Sequence, residues 1–339
     1  MKKAVGGDSA ISTTRWEDTM KHLVRGAILA AALAMPFGAA SAQVEDLKII
    51  APAAPGGGWD QTARAIQQVL QAEKIVPNVQ VLNVPGAGGT IGLAQFVNGS
   101  KGDPNALIVG GYVMVGAIIT NNSPVTLSDV TPIARLTGEY EAIAVPADSP
   151  LKSMDDLVAA LKADPQKVSW AGGSAGGTDH ITAGLIAKAI GVDPTKVNYI
   201  AFSGGGESLA SILGGKVTVG ISSLSEYDAQ AKAGKLRILG VSSAERLPEA
   251  KDIPTFKESG VDVEIQNWRM VAAAPGISPE QKKALSDSIA EMVNSQAWKD
   301  MLAQKGWVNT YLAGPEFEGQ LAQDIASTQT ILKDIGLAK

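Results

Sequence analysis

Short β-prone runs alternate along the chain with stretches whose apolar residues recur every three or four positions. Leu47-Lys48-Ile49-Ile50-Ala51 predicts a strand, and Ala63, Ile66, Val69 and Leu70 then follow at helical spacing, so a helix begins near Asp60. Val79 to Val84 predicts a second strand, Leu93, Phe96 and Val97 a second helix, and Ala106 to Val109 a third strand. The same order returns with a strand at Lys167-Val168-Ser169-Trp170-Ala171 and a helix through Ile181, Leu185, Ile186 and Ile190. A strand at Val197 to Phe202, a helix through Leu209, Ile212 and Leu213, and a strand at Val217 to Ile221 complete it. Glycine separates strand from helix each time: Pro55-Gly56-Gly57-Gly58-Trp59-Asp60, Pro85-Gly86-Ala87-Gly88-Gly89-Thr90, Gly172-Gly173-Ser174-Ala175-Gly176-Gly177-Thr178-Asp179-His180, and Ser203-Gly204-Gly205-Gly206-Glu207-Ser208. Asp60 and Gly86 stand 26 positions apart, Asp179 and Gly204 25, so one βαβαβ unit is used twice.

Alternating strands and helices imply parallel α/β sheets with right-handed crossovers, and two such units imply two lobes. Glu141 to Val145, an apolar strand ending at Pro146, and Trp268 to Pro275 read as two strands crossing between them. That places residues 43–142 with 269–339 in a first lobe and 143–268 in a second, with a hinge and a cleft between. Ligands of open α/β sheets bind beyond the carboxyl ends of the strands, where all four glycine loops fall.

The first 42 residues read as an export signal. Lys21, His22 and Arg25 precede an apolar core from Gly26 to Phe37, and Ala40-Ser41-Ala42 offers a small-residue cleavage site. The core is shorter than the roughly 20 residues of a membrane span. Asp8, Glu17 and Asp18 do not suit a signal's basic start, which points to Met20 as the true beginning. Without these residues the net charge moves from -5 to -7 and His180 is the one histidine left. The mature chain is then expected to be periplasmic, soluble and monomeric.

Composition narrows the chemistry. Of 339 residues none is cysteine, so disulfide scaffolds, thiolate metal sites and cysteine nucleophiles are excluded, and one histidine excludes a His-rich metal site. Aromatics at 5% and a negative charge argue against nucleic acid. The 37 glycines carry more information, because an absent Cβ lets a ligand approach backbone N–H groups at the positive end of a helix. Four such loops suit an anion, although each alone serves equally as a tight turn. No loop satisfies G-x-G-x-x-G or a P-loop, so no nucleotide cofactor is expected. Gly172-Gly173-Ser174-Ala175-Gly176 satisfies G-x-S-x-G, but His180 lies in the same local segment, whereas a hydrolase triad brings its base from a separate loop. Asp60 and Asp179, at matching helix starts, either cap the helix or orient loop backbone or a ligand hydroxyl. Trp59 either walls the cleft or packs in the core, and His180 either bridges loops or touches ligand.

Ala51 to Asp60 and Pro85 to Thr90, preceded by a signal peptide, resemble the extracytoplasmic receptors of tripartite tricarboxylate transporters, the TctC or Bug family. Ala201-Phe202-Ser203-Gly204-Gly205-Gly206-Glu207, Leu224-Ser225-Glu226, Arg246-Leu247-Pro248, Ile253-Pro254-Thr255 and Gly336-Leu337-Ala338-Lys339 look closer to the tricarboxylate-binding branch. The resemblance implies a Venus-flytrap periplasmic binding protein, not an enzyme, that captures a citrate-like or C4-type carboxylate. It would deliver this ligand to a membrane permease of one large and one small subunit; the alternatives are a sensor presenting ligand to a membrane kinase, or a secreted hydrolase using Ser174. Carried onto this chain, the family's ligand contacts fall on Gly57, Gly58, Trp59 and Asp60, and on Gly88, Gly89 and Thr90. In the other lobe they fall on Ser174, Thr178, Asp179 and His180, on Ser203 and Gly204, and on Ser222 at the floor. Arg269 is the cation expected at the cleft, with an ion pair as its other reading.

Overall fold

The computed structural model describes residues 44–202 and 205–338; the export signal read at 1–42 lies outside them. Strand β1 (Asp46–Ala51), helix α1 (Gly58–Ala72), β2 (Asn78–Asn83), α2 (Thr90–Gly99) and β3 (Ala106–Gly111) make the first unit, with β1 parallel to both β2 and β3. Strand β5 (Ser169–Gly172), α5 (Thr178–Ala189), β6 (Asn198–Ala201), α6 (Gly205–Leu213) and β7 (Val219–Ser223) make the second, with β5 parallel to both β6 and β7. The doubled unit is therefore real in its pairing: the central strand is the first of each triplet.

One long strand joins the two. Strand β4 (Thr131–Pro146) runs antiparallel to β9 (Gln266–Ala273) from Thr131 to Tyr140, then antiparallel to β7 from Glu141 to Ala144 and to β8 (Leu236–Val241) from Ala142 to Pro146. The antiparallel strands β4, β8, β9 and β10 (Val308–Ala313) thus extend both parallel units into one curled sheet. Strand β9 lies wholly against β3 and β4, and the chain returns to it just before Gln266. There Ser242 is the knot: its hydroxyl donates to the Ile265 carbonyl at 2.6 Å and accepts the Glu141 amide at 2.9 Å.

Apolar clusters follow the sheets. One, built on Ile49, Ile66, Leu107, Met270 and Trp298, fills the first; two smaller ones, around Trp170 and Phe256 and around Ile212 and Tyr227, cover the faces of the second. Helix α3 (Tyr112–Thr120) was not foreseen, because Tyr-Val-Met-Val-Gly-Ala-Ile-Ile-Thr is apolar almost throughout and shows no helical period. Helices α4 (Met154–Ala163), α7 (Leu224–Lys232), α8 (Pro279–Asn294), α9 (Gln296–Lys305) and α10 (Gly314–Asp334) complete the layers. Among the described residues no helix is long and apolar enough to cross a membrane.

Candidate functional site

The first glycine loop is tied from within. Asp60, 2% exposed, accepts the Gly56 amide at 2.8 Å, Arg64 Nε at 3.0 Å and Asn83 Nδ2 at 2.9 Å, so it orients the loop and does not cap α1. Burial alone would raise its pKa, but Arg64, the Gly56 N–H and Asn83 together hold its carboxyl below the ordinary value. Gly57 is the N-cap of α1 with no side-chain oxygen on the helix N–H groups. Trp59 is buried, its ring so close to Gly89 in the second loop that a Cβ there would stand 2.5 Å from the ring. Gly88 and Gly89 have φ of +61° and +89°, backbone that glycine adopts without strain. Thr90 is buried and its hydroxyl donates to the Ala87 carbonyl at 2.9 Å.

In the second unit Asp179 accepts the Gly173 amide at 2.6 Å, as Asp60 accepts that of Gly56. His180 Nδ1 accepts the Gly176 amide at 3.2 Å, and its ring lies flat on Tyr199 with centroids 4.0 Å apart. Burial lowers the His180 pKa to about 4, so the ring is neutral and bridges its own loop. No hydrogen bond joins it to Ser174 among the described residues, as one would join a general base to its nucleophile. Thr178 is fully buried and its hydroxyl has no partner among the described residues. Gly177, the N-cap of α5, leaves the helix N–H groups without a side-chain oxygen. Ser203 and Gly204 lie outside the described residues.

The loops of the two units meet. A Cβ on Gly88 would stand 3.5 Å from that of Ser174, one on Gly177 3.2 Å from Val113, and one on Gly116 would overlap the Gly176 carbonyl oxygen. Behind them, Ser222 donates to Glu226 at 2.6 Å, and the Glu226 carboxylate lies against Gly205 at the start of α6. Arg269 is 4% exposed and paired with Glu139, which also accepts from Ser225. The guanidinium lies 5.2 Å from the centre of the Trp307 ring and close against Gly58 and Thr62. Its charge is therefore already matched by the protein's own carboxylate.

Sequence reasoning singled out Asp179 but missed Glu139 and Glu141 at this point. Glu139 and Glu141, two apart on β4, share a face of the strand, and Glu226 and Asp179 approach them from α7 and α5. Burial, then the charges of Asp179, Glu139 and Glu226, raise Glu141 well above the ordinary carboxylate range; Asp179 is pushed up to about 7. The available signal was two acids at a period of two, entering an apolar strand.

Two α/β units on a shared crossing strand, with uncapped helix starts facing each other, define a two-lobed binding protein. The sequence model of the family described as tripartite tricarboxylate transporter family receptor matches residues 62–337, and the chain belongs to that family. Protein BugT of Bordetella pertussis is 27% identical over 315 residues, covering 91% of this chain and 95% of its own. A TctC solute-binding protein from Polaromonas, solved without ligand, is 32% identical, with a TM-score of 0.64 over 85% of this chain and 98% of its own. MatC of Rhodopseudomonas palustris with bound malate (22% identity, TM-score 0.74, covering 85% and 99%) shares the fold. So does a second R. palustris protein with adipate (23%, 0.78, covering 87% and 98%).

Proposed function

We propose that the mature chain is a periplasmic receptor that captures a small carboxylate between its lobes and hands it to a tripartite permease of one large and one small subunit. The observation that carries this is the contrast between helix starts. Ser153 and Ser278 close capping boxes at α4 and α8, whereas α1, α2 and α5 begin at Gly57, Gly89 and Gly177 with no side-chain oxygen on their N–H groups. Orphan N–H groups and the helix dipole at these places attract a carboxylate. Malate and adipate in the two R. palustris proteins support the same ligand class here.

The ligand would be received by amides of Gly57, Gly58, Gly88 and Gly89 from one lobe and by Ser174, Thr178, Ser203 and Gly204 from the other, with Trp59 as wall and Ser222 at the floor. Asp60, Thr90, Asp179 and His180 shape the loops, and Arg269 anchors loop one through Glu139. Four carboxylates facing one already paired cation favour a dicarboxylate over a citrate-like trianion. The lobes are read as 43–142 with 269–339 and 143–268, the monomer as the working unit, 1–42 as the removed export signal, and the role as capture without catalysis.

Isothermal titration of residues 43–339 against a panel of di- and tricarboxylates tests the reading. Saturable binding of at least one dicarboxylate is expected, and absence of binding to every member overturns it.

A further inference from the structure

Glu141 stands at the point where β4 leaves the first sheet, opposite Ser223 of β7. Its side chain is completely buried, and neither carboxylate oxygen receives a hydrogen bond from a donor among the described residues. The group it touches is the carboxyl of Asp179. Two ionised carboxylates offer each other only lone pairs, so this contact is repulsive until one proton enters it and makes an O–H···O bond. Among the described residues no cation is paired with either carboxyl group. The groups facing the pair are Glu139 on β4, His180 on α5, Tyr199 on β6, Glu226 and Tyr227 on α7, and Arg269 on β9, whose charge is taken by Glu139.

Asp179 has a second duty. It holds the Gly173 amide at 2.6 Å while Tyr199 Oη donates to the Gly173 carbonyl at 2.9 Å, so Gly173 is clamped on both sides. The clamped residue leads into turn 174–177, which meets Gly88 and Gly116 of the other lobe. We propose that Glu141 is a positioning residue for ligand capture: one proton shared with Asp179 keeps turn 174–177 in place, and its loss loosens the turn and weakens binding. This rests on the reading of that turn as ligand-receiving. Burial and the charges of Asp179, Glu139 and Glu226 raise Glu141 well above the range of an exposed carboxylate, so the proton stays on this side of the pair.

The test begins without ligand. Infrared spectra of residues 43–339 at about pH 6.5, where exposed carboxyl groups near 4 are ionised, should retain a carboxylic-acid carbonyl band that Glu141→Gln removes. No such band in the wild type overturns the shared proton. The melting temperature of the wild type should fall relative to Glu141→Gln as pH rises from 5 to 8, because Gln keeps a neutral donor in place; parallel curves overturn the proposal. Should Glu141→Gln not fold, Asp179→Asn replaces it in the same comparison. For malate or adipate, wild-type affinity should fall as rising pH removes the shared proton, by up to about tenfold per pH unit, the limit for one linked proton, while that of Glu141→Gln stays flat. An equal decline in both removes Glu141 from ligand capture. If no carboxylate binds at any pH, the functional reading fails instead, and the infrared and melting results still decide the proton.

Discussion

Asp60 and Asp179 occupy the same place in the two halves of the chain. Each begins a helix after a glycine loop, and each accepts the amide of a glycine in that loop. Their surroundings are opposite. Asp60 has Arg64 and Asn83 beside it and is held below the ordinary carboxylate value; Asp179, through burial and then the charge of Glu226, rises to about 7. The same local device is a permanent tie in one lobe and a protonation-dependent one in the other. What differs is not the motif but the strand behind it, since β4 brings Glu139 and Glu141 to the second lobe and Arg269 answers only the first of them.

The comparison breaks most severely at that cation. Arg269→Ala would leave Glu139 buried without its partner, and a stability loss of about 3–5 kcal/mol is expected in denaturant unfolding. Loss of ligand affinity with unchanged stability would show instead that Arg269 serves ligand directly. Gly116→Ala tests whether α3 and turn 174–177 depend on each other. Alanine in a helix gains about 1 kcal/mol over glycine, but here its Cβ overlaps the Gly176 carbonyl oxygen. A net loss of about 1–3 kcal/mol and a larger radius of gyration by small-angle scattering are expected; a more stable, equally compact variant would place the lobes farther apart.

The two aspartates should respond to pH with opposite sign. Asp60, with a lowered folded value, contributes stability above its unfolded value near 4 and loses it as pH falls through the folded value. Asp60→Asn should therefore cost about 1–3 kcal/mol at pH 7 and progressively less toward pH 3. Asp179, with a raised folded value, contributes below about 4 and loses the contribution as pH rises through about 7. Asp179→Asn should gain on the wild type across that window; matching pH profiles for the two variants would erase the distinction. The smallest effect is expected at Lys188, half-exposed on α5 and 2.7 Å from Asp334 of α10. Lys188→Ala should cost about 0.2–1 kcal/mol by thermal unfolding, because Ile335 packed on Gly184 makes the same connection without charge.

Much of the frame could be read locally. The short β-prone runs of β1, β2 and β3, the helical spacing after Asp60, and the glycines between them announce a βαβαβ unit, and its repetition announces the second. Helix α8 begins at Pro279 after Ser278 and ends at Asn294, as its capping residues and polar pattern dictate. Helix α3 escaped because both of its faces are buried or partly buried, which erases the period that marks a surface helix. The glycine loops were legible as ligand-accessible backbone. That Asp60, Asp179 and Glu226 already lie against the backbone of three of those loops was not.

The division has a physical cause. Strand, helix, turn and cap are decided by residues within a few positions of one another, so the sequence by itself determined the doubled α/β frame and where its backbone lies open. The charge state of a carboxyl depends on burial and on partners at contact distance, however far away in the chain. Glu139 and Arg269 are 130 positions apart, and Glu141 and Asp179 are brought together only because β4 is shared by both sheets. Only the tertiary structure decided that one of two matching aspartates lies beside a guanidinium and the other is buried against a second carboxyl group.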